Sequence, residues 1–180
     1  MSSPSYKSSI SEAMARLSSD PATIFIGYGL ETGRALGTIP KTAAVLETPV
    51  AENLMVGLAT GLSLAGRKPV VFIERCDFLL NALDALFNHL VKIRTLSRGQ
   101  FAPAAIIRVV IGNREKPLFT GPTHTQDFSD AVNVMLMDRA NAFESWHLND
   151  GTDIANVFAV AHANLSRGIT TLIWEYKDKY

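Results

Sequence analysis

The sequence predicts a three-layer α/β/α domain with a mostly parallel sheet. Two observations carry this. Near-continuous apolar runs recur along the chain: Pro69-Val-Val-Phe-Ile73, Ala104-Ala-Ile-Ile-Arg-Val-Val-Ile111 and Thr170-Thr-Leu-Ile-Trp-Glu175. Helix-type segments separate these runs from end to end. Strands that are apolar at nearly every position, not at alternate ones, are covered on both faces, and their alternation with helices gives parallel crossovers.

Each element follows in order. Ser9 and Glu12 have capping-box spacing ahead of Ala13, Met14 and Leu17, which predicts a helix over 9–18. Thr23-Ile-Phe-Ile26 is a short strand. Gly27, Gly29, Gly33 and Gly37 mark a loop-rich stretch, and Ala43-Ala-Val-Leu46 is a second strand. Thr48-Pro49 ends it and starts a helix, with proline in the first turn. Pro69–Ile73 is the next strand, followed by one helix from about 78 to 96. The strand over 104–111 leads into a polar loop, 112–125. A helix near 127–139, a strand near 143–148, a helix near 152–165 and the strand over 170–175 complete the domain. One domain over 1–180 is expected, since no repeat, low-complexity tract or linker divides the chain.

Bulk properties exclude several classes of partner. Lysine plus arginine number 17 and aspartate plus glutamate 17, so net charge is zero. No basic stripe or block of like charge appears, which argues against nucleic acid or a membrane surface as partner. Cys76 stands alone, which excludes an internal disulfide and fits a reducing, cytoplasmic setting. The serine-rich start has no apolar signal region, and the longest apolar runs are too short to span a bilayer.

Glu52 draws attention next. It is the only charged side chain between Glu47 and Arg67, and it opens the apolar run Leu54–Gly66. A helix apolar on every face is usually buried. A carboxyl at its head, withdrawn from water, suits acid/base work; the alternative is an acid resting on the helix dipole. In parallel sheets ligands bind outside the carboxyl ends of the strands. The loops leading to Glu52, after Ile73 and after Ile111 fall there, and the last holds Gly121-Pro-Thr-His-Thr-Gln126, so Glu52 and His124 are expected to be neighbours. Gly27, Gly29 and Gly33 lack the dinucleotide spacing and read as turn glycines. The histidines and Cys76 form no metal-ligand spacing. His89 and His162 read as structural helix residues.

These segments together resemble the pyrimidine-binding domain of thiamine-diphosphate enzymes, as found in transketolase and in the beta subunit of the 2-oxo acid dehydrogenase first component. Thr48–Gly66 resembles the family's glutamate helix, and 69–83 the strand and helix after it. Ser97-Arg-Gly-Gln100 and Ile107-Arg108 resemble the beta-subunit pattern. Gly121-Pro-Thr-His124 resembles transketolase, and His124-Thr-Gln126 the beta-subunit His-Ser-Gln.

The resemblance implies the thiamine-diphosphate-binding fold and a set of roles. Glu52 would exchange a proton with the aminopyrimidine ring and be catalytic. Phe72 and Phe78 match aromatic positions that pack on that ring. The aromatic between them is replaced by Arg75-Cys76, so Arg75 would lie over the ring or reach an anionic substrate. His124 would act near the reacting carbon. Gln126, Arg108, Asn53 and Arg114 are weaker substrate candidates.

The family's metal-holding Gly-Asp-Gly with its downstream Asn has no full counterpart; Asn149-Asp-Gly151 is an echo. Magnesium and the diphosphate would then be held by a partner subunit in a heterotetramer with two copies of each chain, and this chain would hold no metal. No diphosphate-binding domain and no transketolase-type C-terminal domain are expected within 1–180. The leading expectation is the pyrimidine-binding subunit of a split transketolase-like carboligase, a transferase of ketol or aldehyde units acting on small-molecule substrates. The alternatives are a beta-type subunit of a 2-oxo acid dehydrogenase or decarboxylase, and a non-catalytic interaction subunit.

Overall fold

A computed structural model of the chain describes residues 5–113, 115, 121–136 and 142–180. Six strands form one sheet: β1 (Thr23–Gly27), β2 (Val45–Glu47), β3 (Lys68–Ile73), β4 (Ile106–Ile111), β5 (Phe143–His147) and β6 (Thr170–Tyr176). Their order is β2-β1-β3-β4-β6-β5, and every pairing is parallel. Helices cover both faces: α1 (Tyr6–Ser18), a single turn α2 (Arg34–Gly37), α3 (Glu52–Leu64), α4 (Cys76–Leu79), α5 (Ile93–Leu96), α6 (Ser129–Leu136) and α7 (Ile154–Arg167).

The strands' continuous apolar character has its explanation in two cores. On one face Ile10 and Met14 of α1 and Val157 and Phe158 of α7 pack with Phe25, Val70, Ile106 and Ile173. On the other, Val56 and Ala59 of α3 pack with Leu79, Leu86, Ile26, Val71, Ile107 and Leu172. Each large side chain so buried contributes about 1.5–3 kcal/mol.

The structure corrects four element readings. α1 starts at Tyr6, because the Ser5 hydroxyl caps it, accepting from the Ser8 amide at 3.2 Å. α3 starts at Glu52, not Pro49: the Thr48 amide still donates to the Gly27 carbonyl at 3.0 Å, so Pro49 lies in an extended link. The helix expected over 78–96 is broken into α4, a tight turn over Leu80–Ala82, a wide π-type segment over Ala85–Leu90, and α5. The stretch read as loop includes α2, where Arg34, Ala35 and Leu36 take positive φ. The tail of the helix expected over 127–139 lies outside the described residues beyond Leu136.

α3 also departs from expectation in burial. Glu52, Met55, Val56, Ala59 and Thr60 face the sheet, while Leu54 and Leu64 stay about half exposed beside Gly57 and Gly61. Its outward face is therefore apolar and uncovered in the single chain. Among the described residues no helix is long and apolar enough to cross a membrane.

At the amino-terminal edge of the sheet, Asp20 accepts from Lys68 at 2.7 Å and pairs with His162 at 3.0 Å. The Lys68 hydrogen bond, helped by the Ala22 amide, holds the Asp20 carboxyl down at about 2, against an ordinary 3.8. A depressed carboxyl stabilises the fold above its unfolded value, and that contribution is lost as pH falls from about 4 towards 2. The pair is solvent-screened, so Asp20→Asn is expected to cost at most about 1 kcal/mol at neutral pH. Urea titrations at pH 7 and pH 2 check this: the difference between wild type and variant should vanish at the lower pH.

Candidate active site

The chain runs from β1 outward to β2 and then back across to β3 on the other side of β1. The strand order therefore reverses between β1 and β3, and a crevice opens outside their carboxyl ends, the usual ligand position in open α/β sheets. There lies a cavity of about 230 Å³, with walls from the loops after β1, β2 and β3. Glu52 lines it and is only 4% exposed. Phe72, Phe78 and Tyr28 supply aromatic surface, Val50 and Met55 aliphatic surface, and Glu74 a second carboxylate. Larger hollows occur beside Leu83 and Met135 and beside Asn149–Ile154. Neither contains a buried carboxyl, so size alone does not select the site.

Glu52 owes its position to α3, of which it is the first residue. Ala51 gives no side-chain cap, so the Glu52 carboxyl stands at a helix head with unpaired amides. Its Oε2 accepts from the Asn81 side-chain amide at 3.4 Å, and among the described residues Oε1 has no donor. Phe72 is the penultimate residue of β3 and Phe78 sits in α4, so the broken helix after β3 brings the second phenylalanine back over the crevice.

His124 belongs to the turn Gly121–His124 and packs edge-on against Phe78, with ring centroids 5.0 Å apart. Glu52, Phe72 and Phe78 thus share one cavity, and His124 adjoins it through Phe78. Gly112, just past β4, sets this approach: a Cβ there would lie 1.8 Å from the His124 carbonyl oxygen. Gly112→Ala must displace the His124 turn, at a cost of about 1–3 kcal/mol. The expected result is a lowered melting temperature and altered NMR shifts for His124 and Phe78.

The remaining expected residues lie elsewhere. Arg75 is buried, donates to the Glu74 carbonyl at 2.6 Å and does not line the cavity. It sits instead near Lys177, whose ammonium is pushed down by burial first and by Arg75 second. Cys76 is buried in the core, and burial pushes its thiol up to about 11. Neither side chain takes the place of an aromatic wall. Gln126 and Asn53 are exposed, and the Gln126 amide donates to Asp77 at 3.4 Å. Arg114 lies outside the described residues.

Arg108, expected as a substrate residue, does not line the cavity. It is fully buried and pairs with Glu175 at 2.6 and 3.0 Å, with Thr38 at 3.1 Å and with the Tyr180 hydroxyl at 3.4 Å. Burial alone would weaken its charge, but the Glu175 carboxylate overrides this and holds the guanidinium above its ordinary range. Tyr180 donates to Glu175 Oε2. The Arg108 Nη1 has no oxygen partner, and the guanidinium carbon lies 5.3 Å from the centre of the Phe72 ring.

Sequence reading missed Tyr28, Val50, Met55, Glu74 and Asn81. Tyr28 had a signal: it follows a strand, as the three recognised loops do, but it was hidden between two turn glycines.

The residues fit one half of thiamine diphosphate. A flat, partly apolar heterocycle matches a small aromatic cavity with a buried carboxyl on its wall. They do not fit the diphosphate half. Among the described residues no group of three or more His, Cys, Asp or Glu side chains is placed to hold a metal. Asn149-Asp-Gly151 lies in a turn after β5, where Asp150 pairs with Lys179 at 2.5 Å. That is three strands from β3, or about 14 Å across the sheet.

No family model matches the chain. It is 33% identical over 109 residues to the pyruvate dehydrogenase E1 component subunit beta of Mycoplasma pneumoniae, covering 57% of the chain and 33% of that protein. It is 26% identical over 121 residues to the 2-oxoisovalerate dehydrogenase subunit beta of Bacillus subtilis, covering 62% and 37%. The chain therefore spans about a third of these curated relatives. An X-ray structure described as a thiamin diphosphate-dependent enzyme from Mycobacterium smegmatis superposes with a TM-score of 0.67 at 14% identity, over 99% of this chain and 32% of that one. The chain is thus related in sequence to the beta subunits of 2-oxo acid dehydrogenases and has the fold of a thiamin diphosphate-dependent enzyme.

Proposed function

We propose that the chain forms the pyrimidine-binding half of a thiamine-diphosphate enzyme acting on 2-oxo acids, with Glu52 as its proton-exchanging residue. The observation that carries this is a carboxyl 4% exposed in an aromatic cavity at the switch point of a parallel sheet. The relatives' names favour this beta-type reading over the transketolase-like carboligase.

When bound, the cofactor supplies the electron sink for cleavage beside a carbonyl. The chain's residues do the rest. Asn81 donates to Oε2 of Glu52, so Oε1 is the oxygen that would exchange a proton with the ring nitrogen. Phe72 and Phe78 orient the ring and exclude water. His124, behind Phe78, is placed to steady charge or pass a proton at the substrate.

A diphosphate-binding partner supplies magnesium and the phosphate contacts from outside these residues, in a heterotetramer. The uncovered apolar face of α3, with Leu54 and Leu64 over Gly57 and Gly61, supports such an assembly. The test is reconstitution of the chain with its diphosphate-binding partner, thiamine diphosphate and magnesium. Oxidation of pyruvate or branched 2-oxo acids with an artificial electron acceptor is the expected result. Ketol transfer between sugars without 2-oxo acid turnover would overturn the reading.

A further inference from the structure

The cavity's outer wall holds a residue that the mechanism above does not use. Tyr28 follows β1, lines the cavity with Glu52, Phe72 and Phe78, and is 52% exposed. No hydrogen bond ties its hydroxyl to a described residue. An exposed aromatic is ordinary by itself; this one stands on a backbone fixed from both sides. On one side Gly27 sits between β2 and β3, opposite Glu47 and Phe72, so tightly that a Cβ would meet the Phe72 carbonyl oxygen at 2.9 Å.

On the other side Gly29 takes φ +68, and its amide donates to Glu47 Oε1 at 2.5 Å while the Glu31 amide donates to Oε2 at 2.8 Å. The Gly29 carbonyl accepts from Gly33 at 2.7 Å and from Arg34 at 3.1 Å. The backbone on both sides of Tyr28 is thus held by strand pairing and hydrogen bonds. A rigidly mounted tyrosine loses little entropy when a ligand covers it, and offers a large flat surface.

We propose that Tyr28 is the third aromatic wall of the ring site, packing its face on the aminopyrimidine through stacking and not through its hydroxyl. This rests on the ring-binding reading of the Glu52 cavity. The ligand class is a flat, protonatable heteroaromatic ring, and Tyr28 touches the ring, not the diphosphate or the metal.

The experiment titrates the full chain with 4-amino-5-hydroxymethyl-2-methylpyrimidine, followed by NMR. The variants are Tyr28→Phe, Tyr28→Ala and Glu52→Gln, each with its melting temperature as a folding control. Wild type should bind weakly, with cross-relaxation between the Tyr28 ring and the probe's methyl group. Tyr28→Phe should match wild type within twofold, and Tyr28→Ala should weaken binding about two- to tenfold. If the probe binds and Glu52→Gln weakens it, but Tyr28→Ala does not, the role of Tyr28 is overturned while the Glu52 site stands. Equal losses for Phe and Ala would overturn stacking in favour of the hydroxyl. Unchanged probe binding with lost partner association would make Tyr28 a subunit contact and overturn the proposal. Failure of the probe to bind any form, or binding insensitive to Glu52, overturns the ring site itself.

Discussion

Glu52→Gln is expected to lower kcat of the assembled enzyme about a hundredfold or more. The amide has the carboxyl's shape and can still accept from Asn81, so packing on Met55 and the cavity walls survives. It cannot exchange a proton with a ring nitrogen. The loss should therefore fall on kcat, with the melting temperature unchanged within a few degrees. Glu52→Asp keeps the acid but ends one methylene short, and should recover little. Steady-state kinetics on the reconstituted complex, beside thermal denaturation of the same preparations, separates these outcomes. A glutamine variant turning over near the wild-type rate would remove Glu52 from the mechanism.

Arg108→Met should cause the largest loss of stability, about 3–5 kcal/mol. Arg108 and Glu175 are both fully buried, so removing the cation strands a carboxylate away from water. Against a total stability of about 5–15 kcal/mol this is a large fraction. The double replacement of Arg108 by Met and Glu175 by Leu removes both charges and should restore most of the loss, because apolar residues of similar volume often replace a buried pair without penalty. Urea midpoints for the single and double variants measure this. A double variant no more stable than the single one would show that the pair itself, not the stranded charge, sets the stability. Phe72 adds a link to the site: its ring lines the cavity and touches the Arg108 guanidinium.

The legible parts of the fold are those with a strong local pattern. β3, β4 and β6 were apparent because each is an apolar run too dense for a half-exposed strand, and β3 and β6 extend the expected strands by one residue each. The body of α3 was apparent because a lone acid precedes fourteen uncharged residues, although its start was read at Pro49 and lies at Glu52. What stayed hidden depends on partners distant in sequence. The wide segment over Ala85–Leu90 has no residue that announces it. Arg34, Ala35 and Leu36 take positive φ although none is glycine, held by the fold around them.

Arg108 was singled out because Ile107-Arg108 resembles the beta-subunit pattern; the structure sets it in an internal ion pair. Its counterpart was nevertheless in the sequence. Glu175 is the one acid in the equally apolar last strand, and the parallel register of β4 and β6 sets Val110 beside Glu175, on the face that Arg108 shares. Two opposite charges in two apolar strands signal an internal pair. Tyr28 was hidden for a different reason, since glycines on both sides read as a turn while the structure uses them to fix an aromatic.

All of the proposed chemistry requires the Glu52 carboxyl to meet the cofactor's pyrimidine ring. A crystal structure of the chain assembled with its diphosphate-binding partner, thiamine diphosphate and magnesium tests this most directly. A Glu52 oxygen is expected about 2.6–3.2 Å from a pyrimidine ring nitrogen, with Phe72 and Phe78 against the ring. A ring bound elsewhere, or Glu52 facing solvent in the loaded complex, would contradict it.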